Sequence, residues 1–299
     1  MLITIVTFNP NLNDLINTVT KIKRIDSSLK IAVIDNNSSN QMEIEKLGGL
    51  IDYLFKFDRN YGVGKAYNFA IKLAKDLNQE WIMFLDQDTG ILDNFNPNMI
   101  IDKVRAIKDE KIVIISINPL NSVYIKNIIK EDFYEGKMVV NSGMILNVSY
   151  GISEPFCEEL FLDRIDSEYC LRSVRKGFKI LVYREQMIKH KPGERGQSYK
   201  TFLGKLYVKV LFFLHKDWDY TRFTYLFYSN KVRYYLLVRN DIWLLLREKV
   251  PLSWVKIIIG DFFVIYDRMG IEGVKLFISG ALHGVIGDLQ KDNYKRFQK

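Results

Sequence analysis

Over the first two thirds of this 299-residue chain, short apolar runs alternate with stretches whose apolar residues recur at helical spacing. Residues 2–7 (LITIVT) predict a buried strand, closed by a turn at Asn9-Pro10-Asn11. Leu12, Leu15, Ile16, Val19, Ile22 and Ile25 then mark one face of a helix. Further strands are predicted at 30–34, 53–57 and 81–85, each ending in polar residues: Asp35 to Ser39, Asn60 to Gly64, and Asp86 to Asp88. Ala66, Phe69, Ala70, Leu73, Ala74 and Leu77 predict a helix between the last two. Beyond them strands are expected at 112–117, 138–146 and 179–183, with a helix near 167–176 that stops at Gly177. Such alternation describes an α/β fold around a mostly parallel sheet, whose ligands bind where the strands end. The polar strand ends, Asn9 included, should therefore share one crevice.

After about residue 196 the alternation gives way to aromatic, basic, helix-like segments, which sets expected domains of 1–195 and 196–299. The charge follows the same division. The net +8 lies wholly in residues 196–299, and the first 195 residues are balanced. Lys205, Lys209 and Lys216 share one helical face and Leu203, Leu206, Tyr207, Val210 and Leu214 the other, a pattern suited to an anionic membrane surface. Arg233, Arg239, Arg247 and Lys249 follow among Tyr234, Tyr235, Trp243 and Leu244 to Leu246. The same residues also read as a packed helical hairpin with solvated charges, or as a homodimer interface. Nucleic acid is not expected, since no binding motif accompanies the charge.

With 48% hydrophobic and 26% charged residues, disorder is excluded. Two cysteines, Cys157 and Cys170, without CxxC spacing, argue against a disulfide scaffold or a zinc site and suit a reducing compartment. No secretory signal opens the chain. The apolar runs near 202–214 and 250–266 are broken by Lys205, Lys209, Lys256 and Asp261, so a spanning helix is not expected.

Four segments carry candidate chemistry. Asp86-Gln87-Asp88 sets two carboxylates at a strand end, either a plain turn or a divalent-cation site. Asn60 to Asn68 (NYGVGKAYN) opens a helix with two glycines, as a plain turn does or as a phosphate or sugar site would. Asp163, Asp166 and Glu168 fall before or within the first turn of a helix, where Asp166 serves as N-cap or as a general base. His190, beside Pro192-Gly193, is either a surface residue or a metal ligand.

Together these segments resemble the family 2 glycosyltransferases of GT-A fold. The resemblance runs in order through VIDNNSS (33–39), NYGVGKAYN (60–68), FLDQDT (84–89), NSGMIL (141–146), LFLDRIDSEYCLR (160–172) and HKPG (190–193). With RYYLLVRN (233–240), the wording is most similar to rhamnosyltransferases of bacterial surface polysaccharides. The resemblance implies a nucleotide-sugar-binding domain in which Thr7, Asn9 and Asp35 face the nucleobase and ribose. Asn60 and Lys65 would lie near the nucleotide and diphosphate, and Asp86 near ribose or sugar. Asp88 would hold Mg²⁺ or Mn²⁺, with His190 as a further ligand, and Asp166 would be the catalytic base. Relatives often carry Glu just before that Asp; here Ile165 stands there, which leaves Asp163 and Glu168 as other acidic candidates.

The implied reaction is inverting transfer of L-rhamnose from dTDP-rhamnose to a lipid-linked glycan, on the inner face of the cytoplasmic membrane. A UDP-hexose donor is the nearest alternative. A nucleotidyltransferase would want a Gly-rich basic loop after the first strand, where TFNPNLND stands. A non-catalytic nucleotide-sugar-binding protein would not need both Asp88 and Asp166.

Overall fold

The structure is a computed structural model that describes residues 1–129, 132–189, 195–197, 199–214, 225–226, 231–248 and 250–289. The chain divides into two compact units. One comprises residues 1–161 and 165–191, the other residues 162–164 and 192–299. Residues 162–164, within the range of the first unit, belong to the second.

In the first unit β1 (Leu2–Thr7), α1 (Leu12–Ile25), β2 (Lys30–Asp35), α2 (Gln41–Ile44), β3 (Tyr53–Lys56), α3 (Val63–Asp76) and β4 (Trp81–Asp86) alternate as the hydrophobic pattern predicts. There follow β5 (Gly90–Ile91), α4 (Pro97–Arg105), β6 (Ile112–Ser116), β7 (Val123–Ile129), β8 (Phe133–Met138), β9 (Met144–Asn147), α5 (Val148–Ser153), α6 (Ile165–Arg175), β10 (Lys179–Tyr183) and β11 (Ile188–Lys189). Nine strands form one sheet in the order β3-β2-β1-β4-β9-β6-β10-β8-β7. β3, β2, β1 and β4 are mutually parallel, and β9 is inserted antiparallel between β4 and β6.

One strand expected over 138–146 is instead the end of β8, a loop and β9. Gly143, at φ +87, forces the break: its N–H donates to Phe84 O (2.9 Å), and a Cβ would meet Ile188 Cδ1 at 2.8 Å. Apolarity alone does not register that interruption, because both flanking strands are buried.

Alternation along the strands sorts the core onto two faces. Ile3, Ile5, Ile31, Val33, Met83 and Leu85 pack with Leu15, Val19 and Ile22 of α1 and Ile100 and Val104 of α4. The opposite face, with Phe84, carries α3, where Tyr67 packs on Phe84 and Phe156.

The second unit contains β12 (Arg195–Gln197), α7 (Phe202–Leu214), β13 (Tyr225–Leu226), α8 (Lys231–Arg247) and α9 (Ser253–Ile286). By length and composition, residues 254–286 are apolar enough to cross a membrane, with 22% of the most apolar stretch buried, contrary to the expectation from interrupting charges. Yet Gly270 (φ 58, ψ −134) breaks the helix, and Phe262 and Phe277 meet at 5.2 Å between ring centroids. Fifteen residues of straight helix would separate them by roughly 22 Å. The segment therefore folds back as two helices, 253–269 and 271–286, each shorter than the ~20 residues a span needs. The second half lies close on α8 through Gly280 and Gly284, where a Cβ would meet Tyr235 O at 3.0 Å and Arg239 O at 2.6 Å.

The arginines of α8 all find partners within this unit, although only Arg239 is buried and Arg247 stays exposed. Arg239 is fully buried and donates to Asn240 Oδ1 (3.0 and 2.9 Å), Arg233 pairs with Asp163 (2.8 Å), and Arg247 donates to the carbonyls of Gly284 and Val285. The apolar residues of α7 are divided between the interior and the surface. Gly204 and Val208 are buried and Tyr207 stacks on Phe263, but Leu203, Leu206 and Val210 are exposed beside Lys205 and Lys209. Leu214 carries no described side-chain environment, and Lys216 and Lys249 lie outside the described residues.

Candidate active site

The parallel registers set the strand ends side by side: Thr7 opposite Asp35, Val6 opposite Asp86, and Asp35 opposite Lys56. Short polar side chains then tie the loops that leave them. Asp35 is fully buried and accepts from Thr7 Oγ1 (3.0 Å), from Ser38 N–H (3.0 Å) and from the Ser38 hydroxyl. Asn9, at φ 50, donates its N–H to Ser38 Oγ (2.7 Å), while its Oδ1 accepts from Ser39 N–H (2.7 Å). Gln87 brackets Phe8, accepting from its N–H (2.8 Å) and donating to its carbonyl (3.3 Å). Asn36 accepts from Tyr61 N–H (2.9 Å), and Asn60 from Gly62 N–H (2.9 Å). Four loops from distant parts of the sequence thus form one bonded rim. Within it Thr7 and Asp35 direct their polar atoms at the rim itself.

The glycines of NYGVG serve a close packing of backbones. Gly62 has φ +86, and a Cβ there would lie 2.6 Å from Phe161 O; at Gly64 the contact would be Cys157 O at 3.0 Å. Val63 N–H, at the start of α3, donates to Phe161 O (2.8 Å). The helix start thus receives the chain that leads into α6. Lys65 pairs with Glu158 (3.1 Å) in the same approach, and Asn68 holds Phe156 by donating to its carbonyl and accepting from its N–H.

The three acidic candidates around α6 separate sharply. The helix begins at Ile165, two residues earlier than an Asp166 N-cap requires, so Asp166 lies in its first turn. Asp163 accepts a bidentate contact from Arg233 (3.0 and 2.8 Å) within the second unit. Glu168 is buried and paired with Arg172 (2.6 and 3.1 Å). Asp166 is half-buried, and its Oδ1 accepts from Ser167 N–H (2.7 Å) and Ser167 Oγ (3.3 Å).

Tyr67, unremarked in the sequence beyond its place in the helix motif, connects two candidates. Burial first, then the charges of Asp86 and Asp166, pushes its phenol well above the ordinary range. Two carboxylates from strand β4 and helix α6 therefore act on the same enclosed hydroxyl. The sequence signal was a Tyr on the inward stripe of α3, which periodicity reads as core.

Asp88 is half-buried and has neither a hydrogen bond nor an ion pair among the described residues. Its loop is braced behind it: Thr89 Oγ1 and Ser142 Oγ lie 2.6 Å apart, and Thr18 Oγ1 donates to Thr89 O (2.5 Å). β5 pairs with β11 through Gly90 and Lys189. His190, the other expected ligand, lies outside the described residues. Among the described residues no cluster of three His, Cys, Asp or Glu could hold a metal ion on its own. Two carboxylates at one strand end nonetheless fit Mg²⁺ or Mn²⁺, whose remaining positions substrate phosphates and water commonly fill.

Burial, followed by the charges of Glu168 and Glu159, pushes the Cys157 thiol up to about 12, and burial also raises Cys170. Both stay protonated at neutral pH, which removes thiolate nucleophiles from the chemistry. A cleft of 490 Å³ lined by Met1, Glu80, Trp81 and Arg105 lies at the start of β4, away from the carboxyl-end rim.

The sequence model of Glycosyl transferase family 2 matches residues 2–131. The chain is 25% identical to a dTDP-rhamnosyl transferase, RfbF, of Shigella flexneri, over 95% of its own length and 94% of that protein. Among solved structures it is similar to GalNAc-T7 with UDP, GalNAc and Mn²⁺ (TM-score 0.51, 16% identity). The match covers 63% of this chain and 43% of that one, so this chain spans less than half of that protein. A structure of S. aureus TarS 1–349 matches with a TM-score of 0.46 and 16% identity, over 99% of this chain and 89% of that one.

Proposed function

We propose that this glycosyltransferase, whose residues 2–131 match the sequence model of Glycosyl transferase family 2, transfers a deoxyhexose, L-rhamnose from dTDP-rhamnose, to a hydroxyl of a lipid-linked glycan with inversion at C1. The observation that carries the reading is the division of the carboxylates. Asp163 and Glu168 are neutralised by Arg233 and Arg172, while Asp166 and Asp86 act on the common Tyr67 and Asp88 is unpartnered among the described residues. The dTDP-rhamnosyl transferase relative supports the sugar.

In this mechanism the rim of Asn9, Asp35, Asn36 and Asn60 holds the nucleotide loops in place, with Thr7 locking Asp35. Lys65 lies near the diphosphate and Asp86 near the ribose or sugar. Asp88, with Asp86 beside it and His190 as a further ligand, would hold Mg²⁺ or Mn²⁺, which when bound supplies positive charge against the diphosphate. His190 is proposed because it directly follows Lys189, where the described β5–β11 pair ends. Asp166 takes the proton of the acceptor hydroxyl as its oxygen bonds to C1. The bond from C1 to the phosphate oxygen breaks, and its electron pair leaves with the nucleoside diphosphate. A single displacement needs one base, and Glu168 is held by Arg172 away from a nucleophile's role.

The second unit is proposed to rest on the inner face of the cytoplasmic membrane, with no nucleic acid as partner. Exposed Phe202, Leu203, Leu206 and Val210 beside Lys205 and Lys209, and exposed Ile271, Ile278 and Leu282, support this. Apolar groups flanked by cations suit an anionic lipid surface. A homodimer through the same surface is the outcome that flotation of the full chain with anionic liposomes would reveal: no flotation, with a doubled mass in solution.

The test of the catalytic reading is Asp166→Asn. Transfer is expected to fall by about 10³-fold or more, with thermal stabilisation by dTDP plus Mn²⁺ unchanged. Near wild-type transfer would remove Asp166 as the base. Stabilisation by UDP-hexoses equal to or greater than that by dTDP-rhamnose would replace the donor and leave the enzyme class intact.

A further inference from the structure

The turn that leads into β9 leaves one polar atom unmet. Gly143 N–H donates to Phe84 O (2.9 Å), Ile117 N–H to Gly143 O (3.1 Å), Met144 N–H to Asn141 O (2.9 Å) and Asn118 Nδ2 to Ser142 O (3.2 Å). Ser142 Oγ lies 2.6 Å from Thr89 Oγ1 and accepts from Asp86 N–H at 3.5 Å. Asn141 Oδ1, by contrast, is enclosed and has no hydrogen-bond partner among the described residues. An enclosed amide oxygen without a partner is destabilising, and native folds keep few of them. The residue as a whole is half-buried, and its χ2 torsion is a soft one, so the amide can turn between the interior and a ligand. Its segment of the first unit runs between the two carboxylates assigned to sugar and base. At one end Cys170, one helical turn beyond Asp166 on α6, donates from Sγ to Val139 O (3.8 Å); at the other Ser142 meets the N–H of Asp86. These two carboxylates share one neighbourhood at Tyr67, whose phenol is raised by burial first and then by both charges.

We propose that the side-chain amide of Asn141 hydrogen-bonds a ring hydroxyl of the transferred sugar and thereby selects the donor. This rests on Asp86 and Asp166 flanking the reacting sugar. A sugar held between its leaving group and the base presents its hydroxyls to the residues between those two carboxylates. An amide, with two N–H donors and an acceptor oxygen, matches a hydroxyl that both donates and accepts. Because Phe84, Thr89, Ile117 and Asn118 hold the turn, the amide is offered from a rigid frame. Recognition of this kind discriminates strongly, since a donor lacking that hydroxyl leaves the amide unmet again. A purely structural Asn141 has no preference among sugars.

The experiment titrates the full chain by calorimetry, with Mn²⁺ and no acceptor, using dTDP, dTDP-rhamnose, UDP, UDP-glucose and UDP-galactose. The nucleotide sugar that the native protein binds most tightly then serves for Asn141→Leu and Asn141→Ala. Expected in both variants is a Kd for that nucleotide sugar raised at least tenfold, with the Kd of its free nucleoside diphosphate within twofold. Asn141→Leu removes the unmet oxygen at similar volume, so its Tm without ligand should equal or exceed that of the native protein. Deoxy analogues of the donor complete a cycle: loss of one ring hydroxyl should cost the native protein at least tenfold and Asn141→Leu less than twofold. Unchanged affinity for the nucleotide sugar, or parallel weakening of sugar and free diphosphate, would overturn the proposal. So would equal losses for every deoxy analogue in native and variant proteins, or native protein that binds the diphosphates and none of the nucleotide sugars. Should Asn141→Leu not fold, Asn141→Ala decides by the same criteria. Tightest binding of a UDP-hexose replaces the donor and leaves the Asn141 test in force. Transfer retained by Asp166→Asn removes the base, and binding without acceptor still decides on Asn141.

Discussion

Arg164 and Asp241 meet at 2.7 Å with the Asp241 side chain fully enclosed, and Asp261 shares the same interior. A buried carboxylate tied to one cation is costly to strip of its partner, about 3–5 kcal/mol when the pair is fully buried and less here, where Arg164 is partly exposed. Beside it, burial and then the charge of Asp241 push Asp261 well above the ordinary carboxylate range, and Asp261 is the group that keeps a proton.

That proton makes stability depend on pH in a defined sense. Between the ordinary carboxyl value of about 4 and the raised folded value, the folded protein binds more protons than the unfolded chain. The contribution is therefore complete below pH about 4 and is lost as pH rises. Asp261→Asn should keep the neutral shape and remove the titration. The Tm of the variant relative to the native protein is expected to rise steadily between pH 5 and 8.5; a difference constant with pH would show that Asp261 does not titrate there.

Asp52 has the opposite sign. Burial alone would raise it, but hydrogen bonds from Lys23, Lys30 and Ile31 N–H outweigh this and hold it at about 2. Its contribution is present above pH about 4 and fades as pH falls toward 2. Asp52→Asn is expected to cost about 1–2 kcal/mol at pH 7 and far less at pH 2.5, measured by urea unfolding. Equal losses at both values would contradict the ion-pair origin.

Gly62→Ala combines positive φ with a 2.6 Å approach to the Phe161 carbonyl, which is backbone and cannot swing away. A loss of roughly 2–4 kcal/mol is expected. Gly270→Ala shares the positive φ but meets nothing within 4 Å, and should cost about 1–3 kcal/mol from backbone strain alone. Similar losses at the two sites would mean that strain, and not the packing of Phe161 on α3, governs Gly62.

Asp88→Asn tests the cation site without an assay of transfer. Stabilisation of the native protein by dTDP should increase when Mn²⁺ is added, and the variant should lose that increment while retaining its unliganded Tm. An unchanged Mn²⁺ response would move the site away from Asp88.

The alternation of short apolar strands with helices was legible in the sequence because burial on both faces leaves near-continuous apolar runs, and helix faces repeat every 3.6 residues. That is why β1 to β4, α1 and α3 appear close to their predicted limits. The strand ends and their acids were readable for the same reason, since polar residues that stop such runs must lie at the sheet's edge. Residues 138–146 and the folded helix 253–286 escaped that reading. A glycine turn inside apolar sequence changes direction without changing hydropathy.

Roles among similar residues were decided only by tertiary structure. Asp163, Asp166 and Glu168 are equivalent as sequence, but their chemistry depends on which arginine arrives from elsewhere. Arg233 comes from 70 residues away and Arg172 from the next turn of the same helix. The basic surplus of the last third behaves likewise. Counting placed it beyond residue 196, but burial of Arg239 and pairing of Arg233 withdraw part of it from the surface. Composition fixes how many charges a segment holds; only the folded chain brings the partners within reach that decide which charges remain to act.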